Sequence, residues 1–91
     1  MNNETRIALI TGAANGIGRT TAIMLAERSH DVVLFDLNES ALKEVENEVR
    51  AHGHRVLSVI CDMGDEKSID AALEKVKDFG KIDILVNNAG L

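Results

Sequence analysis

From residue 11 to residue 18 the chain reads Thr11-Gly12-Ala13-Ala14-Asn15-Gly16-Ile17-Gly18, directly after the apolar run Ile7-Ala8-Leu9-Ile10. Glycines at the junction of a strand and a helix let the backbone take positive φ and approach a ligand closely. The helix that follows presents free N–H groups and about half a positive charge at its start. A phosphate or pyrophosphate is the group such a junction holds. Gly12, Gly16 and Gly18 are spaced G-x-x-x-G-x-G, not the commoner dinucleotide spacing G-x-G-x-x-G. Alone, the loop reads equally well as a tight turn, so its sequence context decides.

Asp36 closes the second apolar run, Val32-Val33-Leu34-Phe35, 24 residues after Gly12. In a βαβ unit that position faces the adenosine ribose, and a carboxylate can accept from both ribose hydroxyls. The alternative is an acidic strand end or helix cap, but the separation from the glycine loop favours the ribose. A carboxylate there predicts NAD over NADP, because the 2′-phosphate of NADP would sit against it. Asn15 and Leu37 bring no compensating positive charge, and Arg19, in the first helix, is expected to face solvent.

Asp62 and Met63 follow the third run, Val56-Leu57-Ser58-Val59-Ile60, and Cys61. Asp62 could accept from an adenine amino group with Met63 on the ring, or could be a turn residue starting the third helix; the residues do not separate these. Cys61 reads as a small buried core residue. After the fourth run, Ile82-Asp83-Ile84-Leu85-Val86, come Asn87-Asn88-Ala89-Gly90. Amides at the C-terminal end of a parallel strand lie where doubly wound sheets bind ligands, although an ordinary turn would look the same. His30, His52 and His54 have no second ligand at metal-binding spacing. No metal site is expected, and all three read as solvated surface.

The elements that must position these residues follow from hydrophobic pattern. The unbroken apolar runs suit strands covered on both faces, as in a parallel sheet. Between them lie three segments of helical length. The first spans about 16–28, with Ile17, Ala22, Leu25 and Ala26 near one face. The second spans about 38–52, with Leu37 and the stripe Ala41, Leu42, Val45, Val49; Asn38 or Ser40 caps it, and Gly53 stops it in a left-handed conformation. The third spans about 65–79, with Ile69, Ala72, Leu73, Val76 and Phe79 apolar, acids Asp65 and Glu66 at its start and Gly80 after it. The order β-α-β-α-β-α-β implies right-handed crossovers and a parallel sheet.

The chain has 91 residues, enough for one domain. A net charge of −5 argues against nucleic acid as a partner. No apolar run approaches the roughly 20 residues that span a bilayer, and residues 1–6 show no signal-peptide pattern. The single cysteine permits no internal disulfide, which fits the cytoplasm. There is no proline to veto a helix or strand, and there is no tyrosine. Leu91 stands directly after a strand and a glycine-containing loop, a point where a natural domain rarely stops, so truncation is expected.

Taken together, Thr-Gly-x-x-x-Gly-Ile-Gly at 11–18, Asp36, Asp62 and Asn87-Asn88-Ala89-Gly90 resemble the N-terminal part of the short-chain dehydrogenase/reductase family, across about residues 5–91. The resemblance implies an α/β, Rossmann-type doubly wound parallel sheet of strand order 3-2-1-4, truncated after its fourth strand, with residues 1–91 forming the cofactor-binding part of a single domain. It implies that Gly12, Asn15, Gly16, Ile17 and Gly18 meet the cofactor's ribose and pyrophosphate. Asp36 and Leu37 would flank the adenosine ribose, and Asp62 and Met63 the adenine. Asn88, Ala89 and Gly90 would line the cofactor floor, while Asn87 steadies the sheet. Ser29-His30 replaces the glycine that usually ends the family's first helix, at a cost of about 1 kcal/mol if that residue is left-handed.

The implied activity is hydride transfer between a nicotinamide cofactor, NAD in preference to NADP, and an alcohol or carbonyl substrate, in a parent expected to be a homo-oligomer. The family's catalytic Asn, Ser and Tyr-x-x-x-Lys lie beyond the fourth strand, so no catalytic residue maps onto this chain, which by itself should be inactive. Its fourth strand is then an open edge carrying Ile82, Ile84, Leu85 and Val86. Two other readings compete: a non-catalytic dinucleotide-binding or regulatory module, and a phosphoacceptor receiver domain. The second needs paired acids after the first strand, where this chain has Thr11-Gly12-Ala13-Ala14.

Overall fold

The computed structural model describes residues 5–89. Strands β1 (Ile7–Thr11), β2 (Asp31–Asp36), β3 (Val56–Ile60) and β4 (Ile84–Val86) alternate with helices α1 (Gly16–Glu27), α2 (Glu39–Arg50) and α3 (Glu66–Lys77). All pairings are parallel and the sheet order is β3-β2-β1-β4, as expected. Ile7 lies opposite Asp31, Ala8 opposite Ile84 and Val32 opposite Val56.

Strand alternation sorts the core into two layers. Ala8, Ile10, Val32 and Leu34 pack beneath α1 and α2 with Ala22, Ala26, Leu42, Val45 and Val49. Leu9, Val33, Phe35 and Val59 face the other way, against Ala72 and Val76 of α3. β2 is buried along residues 31–35, which explains why its sequence is an apolar run without alternation.

The capping chemistry determines where helices begin. Asn38 accepts from the Ala41 N–H at 3.1 Å and is the cap of α2, while Ser40 donates to Asn38 at 3.2 Å. Asp65 accepts from the Lys67 N–H at 3.1 Å and caps α3. Gly53 takes φ +84° after α2, and Ser29 takes φ +71° after α1, the left-handed place that glycine would fill at less cost.

Several expectations need correction. β4 is shorter than 82–86, because the Asp83 carboxylate accepts from the Ile7 N–H at 3.0 Å and so occupies a donor that a ladder carbonyl would otherwise take. Ile17 does not join the buried face of α1 but is 74% exposed, since the helix turns Gly18, Ala22 and Ala26 inward. Leu37 precedes α2 and is exposed, and Leu73 is half-exposed beside the buried Ala72. His30 and His54 are not simply solvated: both are half-buried, with His30 Nδ1 accepting from the Arg6 N–H at 3.1 Å and His54 Nδ1 3.7 Å from Asp31 Oδ1.

Candidate functional site

Because all four strands run the same way, the segments leaving their C-terminal ends converge on one edge of the sheet. Those segments are the glycine loop after β1, Asp36-Leu37 after β2, Cys61–Gly64 after β3 and Asn87–Ala89 after β4. The loop is tied to β2 twice. The Ala13 N–H donates to the Phe35 carbonyl at 3.1 Å, and the Ala14 N–H donates to Asp36 Oδ2 at 2.9 Å.

The loop's shape requires two of its glycines. At Gly12 φ is +63°, and a β-carbon there would lie 3.1 Å from both Ala89 Cα and Asn88 Nδ2. At Gly18 a β-carbon would press on the Gly12 carbonyl and stand 2.8 Å from Asn88 Nδ2. The start of α1 can therefore cross directly over the loop only because both residues lack side chains.

Three helix N-termini differ in how they are closed. α2 and α3 carry side-chain caps and an acidic residue in the first turn. α1 has neither: its cap residue Asn15 makes no side-chain hydrogen bond, and no acid stands in the first turn. The positive end of α1 thus opens at the glycine loop, the arrangement that suits an anionic ligand.

Beside it lies a groove of about 400 Å³, lined by Gly12, Asp36, Leu37, Cys61, Asp62, Met63, Gly64 and Ala89. That volume lies in the range of small-molecule sites. Asp36 is held rigidly: Oδ1 accepts from the Leu37 and Asn38 N–H groups at 2.7 and 3.1 Å while Oδ2 takes Ala14. Asp62 Oδ1 accepts from the Gly64 N–H at 2.9 Å, and the Asp62 N–H donates to the Ser68 hydroxyl at 2.9 Å. Asp62 is therefore both a turn residue and a wall of the groove, whereas the cap of α3 is Asp65. Burial pushes the Cys61 thiol up, reinforced by Asp62 and Asp65 against an opposing Ser68, so it stays neutral in the wall.

Of the residues singled out from sequence, Gly12, Asp36, Leu37, Asp62, Met63 and Ala89 come together around the groove. Asn15 lies exposed at the cap of α1 and Gly16 and Ile17 lie exposed in its first turn, with Gly18 buried. Asn88 does not line the groove; it donates from Nδ2 to the Gly12 carbonyl at 3.3 Å and ties the segment after β4 to the glycine loop. Gly90 lies outside the described residues. Arg19 does not face open solvent but reaches α2, where its guanidinium pairs with Glu48 and, at 3.6 Å, with Glu44.

Sequence reasoning missed Thr11 as a site residue, and placed Cys61 in the core without its second role as groove lining. Thr11 is 2% exposed; its hydroxyl donates to Asn87 Oδ1 at 3.1 Å and accepts from the Asn88 and Ala89 N–H groups at 2.9 and 3.0 Å. The signal was a hydroxyl residue ending an otherwise apolar strand. Among the described residues no cluster of three His, Cys, Asp or Glu side chains could hold a metal, and no helix is long and apolar enough to cross a membrane.

Residues 6–91 match the family described as short chain dehydrogenase. The cis-4-hydroxycyclohexanecarboxylate dehydrogenase of Sinomonas cyclohexanicum is 46% identical, over 94% of this chain and 34% of its own length. An NAD+-bound xylitol dehydrogenase superposes with a TM-score of 0.90 at 41% identity, over 94% of this chain and 34% of that one. The L-sorbose reductase of Gluconobacter frateurii, complexed with NADPH and L-sorbose, gives 0.90 at 37% identity, over 97% and 34%. The chain spans about a third of the length of the curated relatives it matches. These neighbours bind nicotinamide cofactors of both kinds.

Proposed function

The chain belongs to the short chain dehydrogenase family, and from that premise we propose that it is the NAD-binding part of an oxidoreductase that moves hydride between a nicotinamide and an alcohol or carbonyl substrate. The observation that carries this reading is the open N-terminus of α1 over a glycine cradle, beside a groove walled by a fixed carboxylate. The cofactor fits the residues present. Its pyrophosphate would meet Gly12, Asn15, Gly16, Ile17 and Gly18, its ribose Asp36 and Leu37, and its adenine Asp62 and Met63. Asn88, Ala89 and Gly90 would form the floor. The bound nicotinamide supplies the hydride donor or acceptor; this chain's own residues bind and orient the adenosine end.

The preference for NAD rests on Asp36. Three N–H groups fix its carboxylate beside the groove, so it cannot swing away from a 2′-phosphate without breaking them. Two unit charges 4 Å apart repel by about 1 kcal/mol in water and about 4 kcal/mol at an effective dielectric of 20.

Catalysis itself falls to other residues of the whole protein. Protonating an alkoxide needs a positioned donor, the sequence has no tyrosine, and His52 and His54 sit before β3, at the opposite edge of the sheet from the groove. The 91 residues alone are therefore an inactive cofactor-binding part of one domain. We assign the intact enzyme to the cytoplasm, as a homo-oligomer acting on a small alcohol or carbonyl compound; the lone free thiol supports the compartment. Titration of the intact protein with NAD and NADP tests the reading. NAD should bind more tightly, and equal or tighter NADP binding would overturn the assignment to Asp36.

A further inference from the structure

Arg19 is the cation nearest the glycine loop in sequence, one residue past Gly18 in the first turn of α1, where its N–H donates to the Asn15 carbonyl at 3.3 Å. The loop and Asp36 share a corner through the bond from the Ala14 N–H, and α2 begins three residues after Asp36. A guanidinium at this corner could offset the charge of Asp36 and accept a 2′-phosphate. Arg19 is instead drawn along α2, pairing with Glu48 and, at 3.6 Å, with Glu44. These acids stand five and nine residues after Glu39, which places them roughly 8 and 13 Å down the helix from its start.

We propose that Glu44 and Glu48 are specificity-positioning residues: they hold the Arg19 guanidinium down α2, away from the ribose corner, and so keep the site without a cation for NADP. Asp36 repels the extra phosphate, and the two glutamates withhold the group that would otherwise neutralise it. The proposal rests on the NAD-binding reading above. Both acids are well exposed, so the pairs are weak. The effect should therefore be a change in selectivity, not an absolute switch.

The test measures NAD and NADP dissociation constants for the intact protein, for Glu44→Gln/Glu48→Gln and for the same double variant with Arg19→Gln. In the double variant NADP should bind about fivefold more tightly while NAD stays within about twofold. Adding Arg19→Gln should abolish the gain, which separates the action of Arg19 from the mere loss of two negative charges. The unchanged NAD affinity also reports that the variant is folded. If the double variant loses NAD binding as well, Glu48→Gln alone should show the same selective gain at about twofold. An NADP affinity that does not rise, or a gain that survives Arg19→Gln, overturns the proposal. Wild-type protein that binds NADP as tightly as NAD would overturn the Asp36 reading instead, and the Arg19-dependent gain would still judge the clamp.

Discussion

Replacing Thr11 with valine keeps the outline of the side chain and deletes one oxygen. That oxygen joins the end of β1 to the segment after β4 by three hydrogen bonds: one donated to Asn87 Oδ1, and two accepted from the Asn88 and Ala89 N–H groups. Without it, both N–H groups lose their acceptor and Asn87 loses a donor. A fully buried orphan costs about 1–3 kcal/mol, and a typical bond contributes about 1 kcal/mol net. Asn88 and Ala89 are only half-buried, so water can reach part of the gap, and the lower end of the range applies to each. Thr11→Val should therefore destabilise the intact protein by about 2–3 kcal/mol. It should also weaken NAD binding, because the Gly12 loop rests on Asn88 and Ala89. Thr11→Ser restores the hydroxyl and should recover most of the stability. Urea unfolding followed by circular dichroism measures all three proteins. A valine variant within about 0.5 kcal/mol of wild type, the ordinary scatter of neutral substitutions, would refute the hub role of this hydroxyl.

Gly18→Ala should abolish NAD binding measured by calorimetry, because its methyl meets the Gly12 backbone, whereas Gly16→Ala meets no atom within 4 Å and should cost only the strain of φ +57°, about 1 kcal/mol in thermal or urea unfolding. Asp36→Asn should narrow the gap between NAD and NADP affinities by about tenfold in parallel titrations, since it removes the charge but retains an acceptor for part of the backbone cradle. At Glu46 burial raises the carboxyl, but the Arg50 guanidinium at 2.8 Å and the Lys43 ammonium at 3.7 Å favour its charged form and the net shift is downward. Its contribution is thus present above the unfolded carboxylate range and is lost as pH falls through the lower folded value, so in urea melts Glu46→Gln should destabilise at pH 7 and its deficit against wild type should shrink steadily as the pH is lowered into the acid range. Cys61, buried and held neutral, should react slowly with a thiol-alkylating reagent when folded and rapidly in urea, with saturating NAD slowing the folded-state reaction further, as followed by mass spectrometry.

The features legible in sequence were those with one physical solution. An unbroken run such as Val32–Phe35 has to be covered on both faces, and once four apolar runs alternate with three helical segments the parallel order follows from handedness. Three glycines between a strand and a helix mark a tight strand-to-helix junction, and the loop lies where the pattern placed it. Hydrophobicity proved less informative where an apolar residue sits at the boundary of an element. Ile17, Leu37 and Leu73 satisfy a helical stripe on paper, yet all three are well exposed. At Ile17 the reason is local: the face of α1 that approaches the loop must be a glycine, so Gly18 takes the inward position and the neighbouring isoleucine points outward. The glycine loop thus determines the rotation of the helix, overriding the pull of one apolar side chain.

Arg19 shows the complementary limit. Its helical position could be read from sequence, but its partners lie on a different helix, 25 and 29 residues away, and depend on how α1 and α2 pack over β1 and β2. Periodicity gives the face of each helix that meets the sheet and does not give the angle at which two helices meet each other. That angle sets whether the guanidinium reaches Glu44 and Glu48. The sequence leaves Arg19 facing solvent from α1, while the fold commits it to α2. In the reading proposed above, selectivity at this corner would rest on an acid at the end of β2 and on a pairing made on α2, and only the first of these can be read from a strand-end motif.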